Sequence, residues 1–440
     1  MFQIVERRDD VEPLWGDEFF EVYFTAGNET VIRSEILHLA NLFSLVSVPL
    51  RHAYTPRRLG LFDHRIHTLT IRKSGTGKTQ AKGLMYSIAR YAGIPVRERK
   101  QATTAGAVGT VRNNGEIIYG DLFYVRNGIW CWNEAAPLLR AEKNEHTVDL
   151  VEVLNQVMDV KGHVSKRLAK GDVSYYTRVS LNCSTYPPEV NEAHYVESGF
   201  LPRFAFFFDQ VDKKFYEDVI DFMLGNASID TTLPDDAIPR LARTFQRLEE
   251  ANIRSFDYSI TNKNIIRDVI IRSVDFERYD TFVPRLVDLG LKFAAAHAVL
   301  YLPERKTATG LPKTLQMHGL KIEDEEITPG LIVEVKNEDI EWAANVLKLI
   351  CESIDAFLTQ YERNAKYSEV EKLWARLKRY AERHGTTRIR KRDIMRNFKY
   401  TRAELEPLLM TLAARGDIKV KYVDGTCWIE LVGVQHEGDG

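Results

Sequence analysis

The sequence predicts an α/β protein with a largely parallel sheet, followed by a C-terminal winged helix-turn-helix module. A short apolar segment, "RIHTLTI", runs into a glycine-rich turn and then into the amphipathic segment "KTQAKGLMYSIARYA". Further apolar segments alternate with helical ones, as strands do in a parallel sheet. Beyond residue 365, three helical segments precede a hairpin with Asp424-Gly425 at its tip, which is the order of a winged helix.

The elements follow in order along the chain. A polar lead-in precedes the helical segment "SEILHLANLFSLVS", and the strand "RIHTLTI" is short, apolar and β-branched. The next strands are "NGIWCWNE", "TRVSLNCSTYP" and "FAFFFDQV". From about residue 234 to 361 the pattern is mostly helical, and the polar stretch 303–330 predicts a surface loop. We therefore expect a lead-in, an α/β core, a helical lid and a winged helix over residues 1–34, 35–230, 231–364 and 365–435.

Composition limits the class of protein. The chain has 440 residues, 44% of them hydrophobic, which indicates a globular protein with more than one core. No apolar run approaches the roughly 20 residues of a membrane helix, and the N-terminus lacks the apolar core of a signal peptide. The four cysteines lie far apart and predict buried, reduced thiols. We expect a cytoplasmic protein with no membrane partner.

Charge is distributed unevenly along the chain. The net charge is -2, but residues 366–432 hold 16 Lys and Arg against 9 Asp and Glu. This basic module on an acidic chain is either a surface for a polyanion or an ordinary solvated helical surface.

The glycine-rich turn is close to a phosphate-binding loop, G-x-x-x-x-G-K-[ST]. Gly77, Lys78 and Thr79 fit this pattern, whereas Arg72 stands in place of the first glycine. Lys78 is positioned to reach the β- and γ-phosphates of a nucleotide, and the Thr79 hydroxyl to hold Mg²⁺. The predicted nucleotide-binding residues of the loop are Ser74, Gly75, Thr76, Gly77, Lys78 and Thr79.

A phosphate loop needs an acidic partner at the end of another strand, and "GIWCWNEA" supplies it. Glu134 is the candidate to polarise an attacking water. Asn133 stands where an aspartate normally supports the Mg²⁺ shell. An asparagine brings no charge, so we expect Mg²⁺ to be held more weakly.

Several blocks in the same order resemble the minichromosome maintenance (MCM) helicases, which are AAA+ ring ATPases. The first block is "TTAGAVGTVRNNGEIIYGDLFYVRNGIWCWNEA", and the second is "LNQVMDVKGHVSKRLAKGDVSYYTRVSLNCSTYPP". The third and fourth are "GFLPRFAFFF" and "PRLVDLGLKFAAAHA". The resemblance starts near residue 35, so we expect a form without the family's N-terminal DNA-binding tier.

The resemblance implies a role for each matching residue. Arg203 corresponds to an arginine finger that reaches a neighbouring subunit's nucleotide, and Arg285 to the second sensor arginine. Tyr186 replaces the asparagine of the first sensor, leaving Thr185, Ser184 or Asn182 as candidates. The DNA-binding residues are expected in a channel hairpin and in the winged helix, namely Lys166, Arg167, Lys170, Arg388, Arg390, Lys391 and Arg392.

The resemblance implies a DNA helicase that depends on ATP and Mg²⁺. We expect it to work as a homo-oligomeric ring, most often of six subunits in this family, in the replication of a mobile element, virus or cell. Single-stranded DNA would occupy the channel, and a loader or initiator protein is a further possible partner. The alternative is an ATP-binding scaffold with weak or no hydrolysis that docks on DNA or a partner. A third reading keeps the motor but changes its cargo, as in related transcription activators and chelatases.

Overall fold

The computed structural model describes most of the chain. The described residues are 11–28, 34–57, 60–73, 75–100, 103–135, 145–168, 171–187, 199–209, 211, 213–224, 233–276, 281–311, 321–322, 325–326, 328–423 and 425–432. They form two compact units, of which the first covers the described residues up to Phe357 and the second those from Leu358 onward. Within these ranges, no helix combines the length and apolarity needed to cross a lipid bilayer.

The first unit contains most of the helices and strands. Up to the third strand of the central sheet, its elements are α1 (Gly16–Asn28), α2 (Glu35–Ser47), β1 (Tyr54–Arg57), β2 (Gly60–Asp63), β3 (His67–Ile71), α3 (Lys78–Ala92), β4 (Val96–Arg99), α4 (Thr104–Val108), β5 (Gly109–Val111), β6 (Ile117–Tyr119), α5 (Asp121–Tyr124) and β7 (Ile129–Trp132). The next are α6 (Glu145–Met158), β8 (His163–Leu168), β9 (Gly171–Tyr176), β10 (Ser180–Thr185), β11 (Phe204–Phe208), α7 (Lys213–Met223) and α8 (Ala237–Glu250). The last are β12 (Ile253–Asp257), α9 (Asn264–Ser273), α10 (Val283–Leu300), β13 (Thr307–Gly310), β14 (Lys321–Ile322), β15 (Glu325–Glu326), β16 (Gly330–Glu334) and the start of α11 (Asn337–His384).

A five-stranded parallel sheet forms the centre of this unit. Its strands lie in the order β11-β3-β10-β7-β4, and every neighbouring pair is parallel. The predicted α/β class with a parallel sheet is confirmed. After β3, which lies inside the sheet, the chain continues to β4, the edge strand on the far side of β10 and β7. Such a change in strand order leaves a crevice beyond the carboxyl ends of the strands, where α/β proteins bind ligands.

The central strands are buried because both faces of the sheet are covered. All residues of β3, β7, β10 and β11 are buried. On one side of β11, Phe207 lies against Phe43 of α2, and on the other Phe206 lies against Phe282 and Phe357. β7 and β11 are continuous apolar runs, as expected of strands covered on both faces, whereas β3 and β10 also bury polar side chains.

The region expected to be mostly helical also contains a second sheet, which the sequence analysis missed. Strands β12, β16 and β13 form a three-stranded mixed sheet. The stretch 303–330, predicted as a surface loop, contributes β13, β14 and β15 and ends at the start of β16, so this prediction was wrong. Its residues pair through backbone hydrogen bonds, which polar side chains do not prevent at an exposed strand.

The second unit begins at Leu358, inside the long helix α11. This helix starts in the first unit and ends at His384. Its further elements are β17 (Arg388–Arg390), α12 (Lys391–Phe398), α13 (Arg402–Ala414), β18 (Ile418–Val423) and β19 (Thr426–Leu431). Strands β17, β19 and β18 form an antiparallel sheet. A capping box joins Thr401 and Glu404 at the start of α13, which satisfies backbone donors that the helix leaves unpaired.

Candidate functional site

The glycine-rich turn between β3 and α3 has the backbone that a phosphate loop needs. Gly75 and Gly77 have φ values of 76° and 84°, in the left-handed region that favours glycine. The Thr76 hydroxyl donates a 2.6 Å hydrogen bond to the Lys73 carbonyl and stabilises the turn. Helix α3 begins at Lys78, so the turn lies at a helix N-terminus, where anions are attracted. Ser74 lies outside the described residues.

The Lys78 side chain folds back over this turn. Its ammonium donates to the carbonyl oxygens of Arg72 and Lys73, at 2.6 and 2.9 Å. Burial, followed by the charges of Arg72 and Lys82, lowers the pKa of Lys78 to about 8. The ammonium is thus held inside the loop in a place where an anion would relieve the cost of its burial.

Arg72, at the position of the first glycine, does not strain the turn because its φ is not positive. Its guanidinium is 2% exposed, lies 2.8 Å from the Asp209 carboxylate and sits 4.3 Å from the Phe215 ring centre. Ser34, the N-cap residue of α2, donates to the same carboxylate at 2.7 Å. Arg72 therefore connects the loop to α2, the end of β11 and α7.

Asn133 and Glu134 follow β7 and face the loop. The Asn133 carbonyl oxygen accepts a 2.7 Å hydrogen bond from the ammonium of Lys82, and its amide nitrogen donates to the Glu98 carboxylate. Lys82 comes from α3 and is 2% exposed, and burial lowers its pKa. A fixed cation thus already occupies one side of the oxygen predicted to support Mg²⁺. Glu134 is exposed toward the crevice.

Strand β10 separates these two segments and supplies a third. Thr185 ends the strand and Tyr186 follows it, and both line the crevice. Asn182 instead donates to Asn41 and Ser44 of α2, at 3.1 and 2.9 Å, and does not line the crevice. Of the three first-sensor candidates, Thr185 is therefore the one at the crevice.

Together the three segments enclose a cavity of about 460 Å³ beyond the carboxyl ends of β3, β10 and β7. Because neighbouring strands lie about 4.8 Å apart, the ends of β3 and β7 are separated by roughly 10 Å, enough for phosphate groups between them. Seven predicted site residues line this cavity, namely Gly75, Gly77, Lys78, Thr79, Asn133, Glu134 and Thr185. Two residues of the site were not predicted from the sequence: Gln80, which also lines the cavity, and Lys82, whose contact with Asn133 has no local sequence signal.

Arg203 and Arg285 lie away from this cavity. Arg203 precedes β11, whose first residue pairs with His67 and whose last pairs with Ile71 next to the loop. Arg203 therefore lies at the amino ends of the strands, about 16 Å along the strand direction from the loop at their carboxyl ends. Burial and the nearby charge of Arg285 lower the pKa of Arg203. Arg203 donates to the Asn155 carbonyl at 3.4 Å, Arg285 lies 3.8 Å from the Asp288 carboxylate, and neither arginine lines the cavity of its own chain.

The segment predicted to be a channel hairpin forms a hairpin of β8 and β9. Lys166 pairs with Val173 and Arg167 with Asp172 across its two strands. Lys170, expected at the tip, lies outside the described residues. The hairpin leads directly into β10, whose end lines the cavity, so a connection between the two sites exists along the backbone.

The basic run of the second unit is largely engaged within the unit. Arg388 lies 3.5 Å from Glu430, and Lys391 forms an ion pair with Glu406. Arg390 stacks over the Trp428 ring at 4.9 Å, and Arg392 is exposed. Arg388 and Arg390 are exposed as well.

No protein-family model matches the chain, and no curated protein matches its sequence.

The lowered pKa of Lys78 predicts a pH-dependent affinity for nucleoside triphosphates. The charged ammonium dominates at pH 7 and is lost as the pH rises through about 8, so affinity should fall about fivefold between pH 8 and pH 9. Titration calorimetry with ATP at each pH measures this. Lys78→Arg is the control, because its charge persists across this range and should give a flat profile. A falling profile in Lys78→Arg would assign the titration to another group.

The contact between Lys82 and Asn133 predicts a weak Mg²⁺ site that can be strengthened. Lys82→Met should lower the Mg²⁺ concentration that half-maximally enhances ATP binding by roughly tenfold, since a fixed cation repels the metal. Asn133→Asp alone should change less because the new carboxylate pairs with Lys82, and the double variant should change most. Thr79→Ala, the control, should weaken the metal effect. A higher Mg²⁺ requirement in Lys82→Met would show that the ammonium serves the nucleotide directly.

Proposed function

We propose that this chain is an ATPase of the AAA+ type, similar to the MCM helicases, that uses ATP hydrolysis to move along DNA. The observation that carries the proposal is the cavity, in which the glycine-rich loop, Glu134 and Thr185 meet at the carboxyl ends of three parallel strands. A triphosphate is the ligand whose charge and length suit a left-handed glycine loop, a helix N-terminus and a buried ammonium.

Each residue at the cavity then has a role in the proposed reaction. Lys78 leaves its own loop carbonyls and binds the β- and γ-phosphates. If Mg²⁺ is bound with the nucleotide, the Thr79 hydroxyl and the remaining lone pair of the Asn133 oxygen would help to hold it, and the metal would offset phosphate charge. Glu134 accepts the proton of the attacking water, which its exposure toward the cavity allows. Thr185 orients that water.

The position of the two arginines supports a ring. Arg203 and Arg285 lie close together at the amino ends of the strands, whereas their own loop is at the carboxyl ends. They would therefore act on a nucleotide bound by a neighbouring subunit. Two guanidinium groups that repel each other are stabilised by an incoming γ-phosphate. A homo-oligomer, of six subunits in the proposed family, places such a pair at each cavity.

The DNA partner is supported by the β8–β9 hairpin and by the second unit. The hairpin presents Arg167 to solvent and continues into the strand that ends at Thr185, so its position can respond to the state of the nucleotide. The order of helices and the terminal hairpin of the second unit suit a winged helix-turn-helix domain.

A scaffold that binds ATP but hydrolyses it slowly is the second candidate. The observation that favours it is the ammonium of Lys82 on the Asn133 oxygen, because it opposes the metal on which hydrolysis depends. The two candidates differ in turnover and not in nucleotide binding.

The first test measures ATP hydrolysis with and without single-stranded DNA. The parent should turn over ATP, and DNA should raise the rate. Glu134→Gln should lower the rate by about a hundredfold or more while ATP affinity is kept, and Lys78→Ala should lose affinity. Hydrolysis too slow to detect in the parent, together with normal ATP binding, would favour the scaffold.

The second test mixes two inactive variants. Lys78→Ala subunits keep Arg203, and Arg203→Ala subunits keep the loop, so mixed rings should recover a fraction of complete sites and of ATPase activity. The control mixes Lys78→Ala with Glu134→Gln, which both damage the same cavity and should recover little. Equal recovery in both mixtures, or none in either, would contradict a shared site.

A further inference from the structure

A cationic groove lies in the second unit, away from the basic run that the sequence singled out. We define it by Arg376, Arg379 and Arg383 of α11 together with Lys399, which follows α12. The three arginines are spaced by three and four residues, so they lie on one helix face. All four side chains are exposed, and the groove encloses about 520 Å³.

The four cations of the groove have no carboxylate partners within the described part of the chain. Other cations of the unit do, as with Lys372 and Glu369 at 2.9 Å or Arg415 and Glu371 at 2.6 Å. Arg379 donates only to the carbonyl of Ala375, one turn earlier. Four like charges gathered without counter-charges repel each other, and a bound polyanion removes this repulsion.

Two aromatic rings form part of the groove between the cations. Tyr380 and Phe398 are half-buried, with ring centres 6.1 Å apart and planes at 85°. Aromatic faces beside a positively charged groove are the combination on which single-stranded bases stack while their phosphates are neutralised.

Lys399 has a backbone conformation that lysine seldom adopts. Its φ and ψ are 59° and 36°, at the position after α12 where glycine or asparagine is preferred. The left-handed conformation costs a lysine stability that glycine would keep. A charged residue held there despite this cost points to a role for its charge at the groove.

We propose that this cationic groove binds single-stranded nucleic acid through its phosphate backbone and two of its bases. In a winged helix that reads duplex DNA, α13 would enter the major groove. Here α13 presents Glu404, the half-buried Glu406 and the 71% exposed Met410, which do not suit a phosphate backbone. The choice of nucleic acid as partner rests on the proposed function. The groove adds to that function a place on the second unit where the single-stranded nucleic acid binds.

The test measures binding of labelled oligo(dT) by fluorescence anisotropy, with the full chain and no nucleotide, at several salt concentrations. Arg379→Gln/Arg383→Gln should weaken binding roughly 10- to 100-fold at low salt and reduce the salt slope by about 1.4, since each phosphate contact on a single strand contributes about 0.7. The matched control, Arg402→Gln/Lys419→Gln, removes the same charge from α13 and β18 and should keep the parent affinity.

Lys399→Gly separates charge from folding. It removes one cation and relieves the left-handed backbone, so oligo(dT) affinity should fall several-fold while the thermal midpoint stays equal or rises. Phe398→Leu should weaken oligo(dT) binding without changing the salt slope, because it removes a stacking surface and no charge.

Three results would overturn the proposal. These are no oligo(dT) binding by the parent at low salt, equal losses in the groove and control variants, and a duplex of the same sequence bound more tightly than the single strand. ATP hydrolysis measured on the same preparations, and DNA binding by Lys78→Ala, keep the two proposals apart. If Arg379→Gln/Arg383→Gln hydrolyses ATP and binds DNA as the parent does, the proposed function stands and the cationic-groove proposal is rejected.

Discussion

The pairing of β10 between β3 and β7 is the constraint on which the candidate site depends. Its backbone hydrogen bonds to both neighbours hold the glycine-rich loop and the Asn133–Glu134 segment one strand apart. If β3 and β7 were adjacent, their ends would be about 5 Å apart and would leave no room for phosphates. The same strand carries Thr185 to the middle of the cavity and starts just after the β8–β9 hairpin. One strand thus sets the width of the site and connects it to the β8–β9 hairpin.

Each departure from a standard phosphate loop has a structural partner. Arg72, in place of a glycine, is matched by Asp209 and by the ring of Phe215. Asn133, in place of an aspartate, is matched by the buried Lys82. A buried arginine or lysine without such a partner would destabilise the fold by several kcal/mol, which makes these positions interdependent. Changing Arg72 to glycine would leave the Asp209 carboxylate unmatched, whereas changing Asn133 to aspartate would give Lys82 a charged partner.

The sequence predicts the buried central strands, because β7 and β11 are continuous apolar runs and β3 and β10 are short segments that alternate apolar with small or β-branched polar residues. It misses β4, "VRER", since this edge strand is mostly exposed and resembles a polar loop. It misses β12, β13 and β16 for a similar reason, because their pairing joins residues far apart in the chain. Site residues at strand ends were predictable from their motifs. Lys82 was not, because its role arises from a contact across 51 positions with Asn133.

The buried cysteines allow the opening of the first unit to be followed by chemical labelling. Cys131, Cys183 and Cys351 are buried free thiols of the first unit, and two of them lie in the central strands that border the cavity. Cys427, on β19, is half-buried in the second unit. A buried thiol reacts with a labelling reagent only after the surrounding structure opens, so its labelling rate reports the population of the open state. The native sequence therefore carries intrinsic chemical probes of local unfolding in the first unit, and the half-buried Cys427 serves as a reference thiol whose labelling does not require such opening.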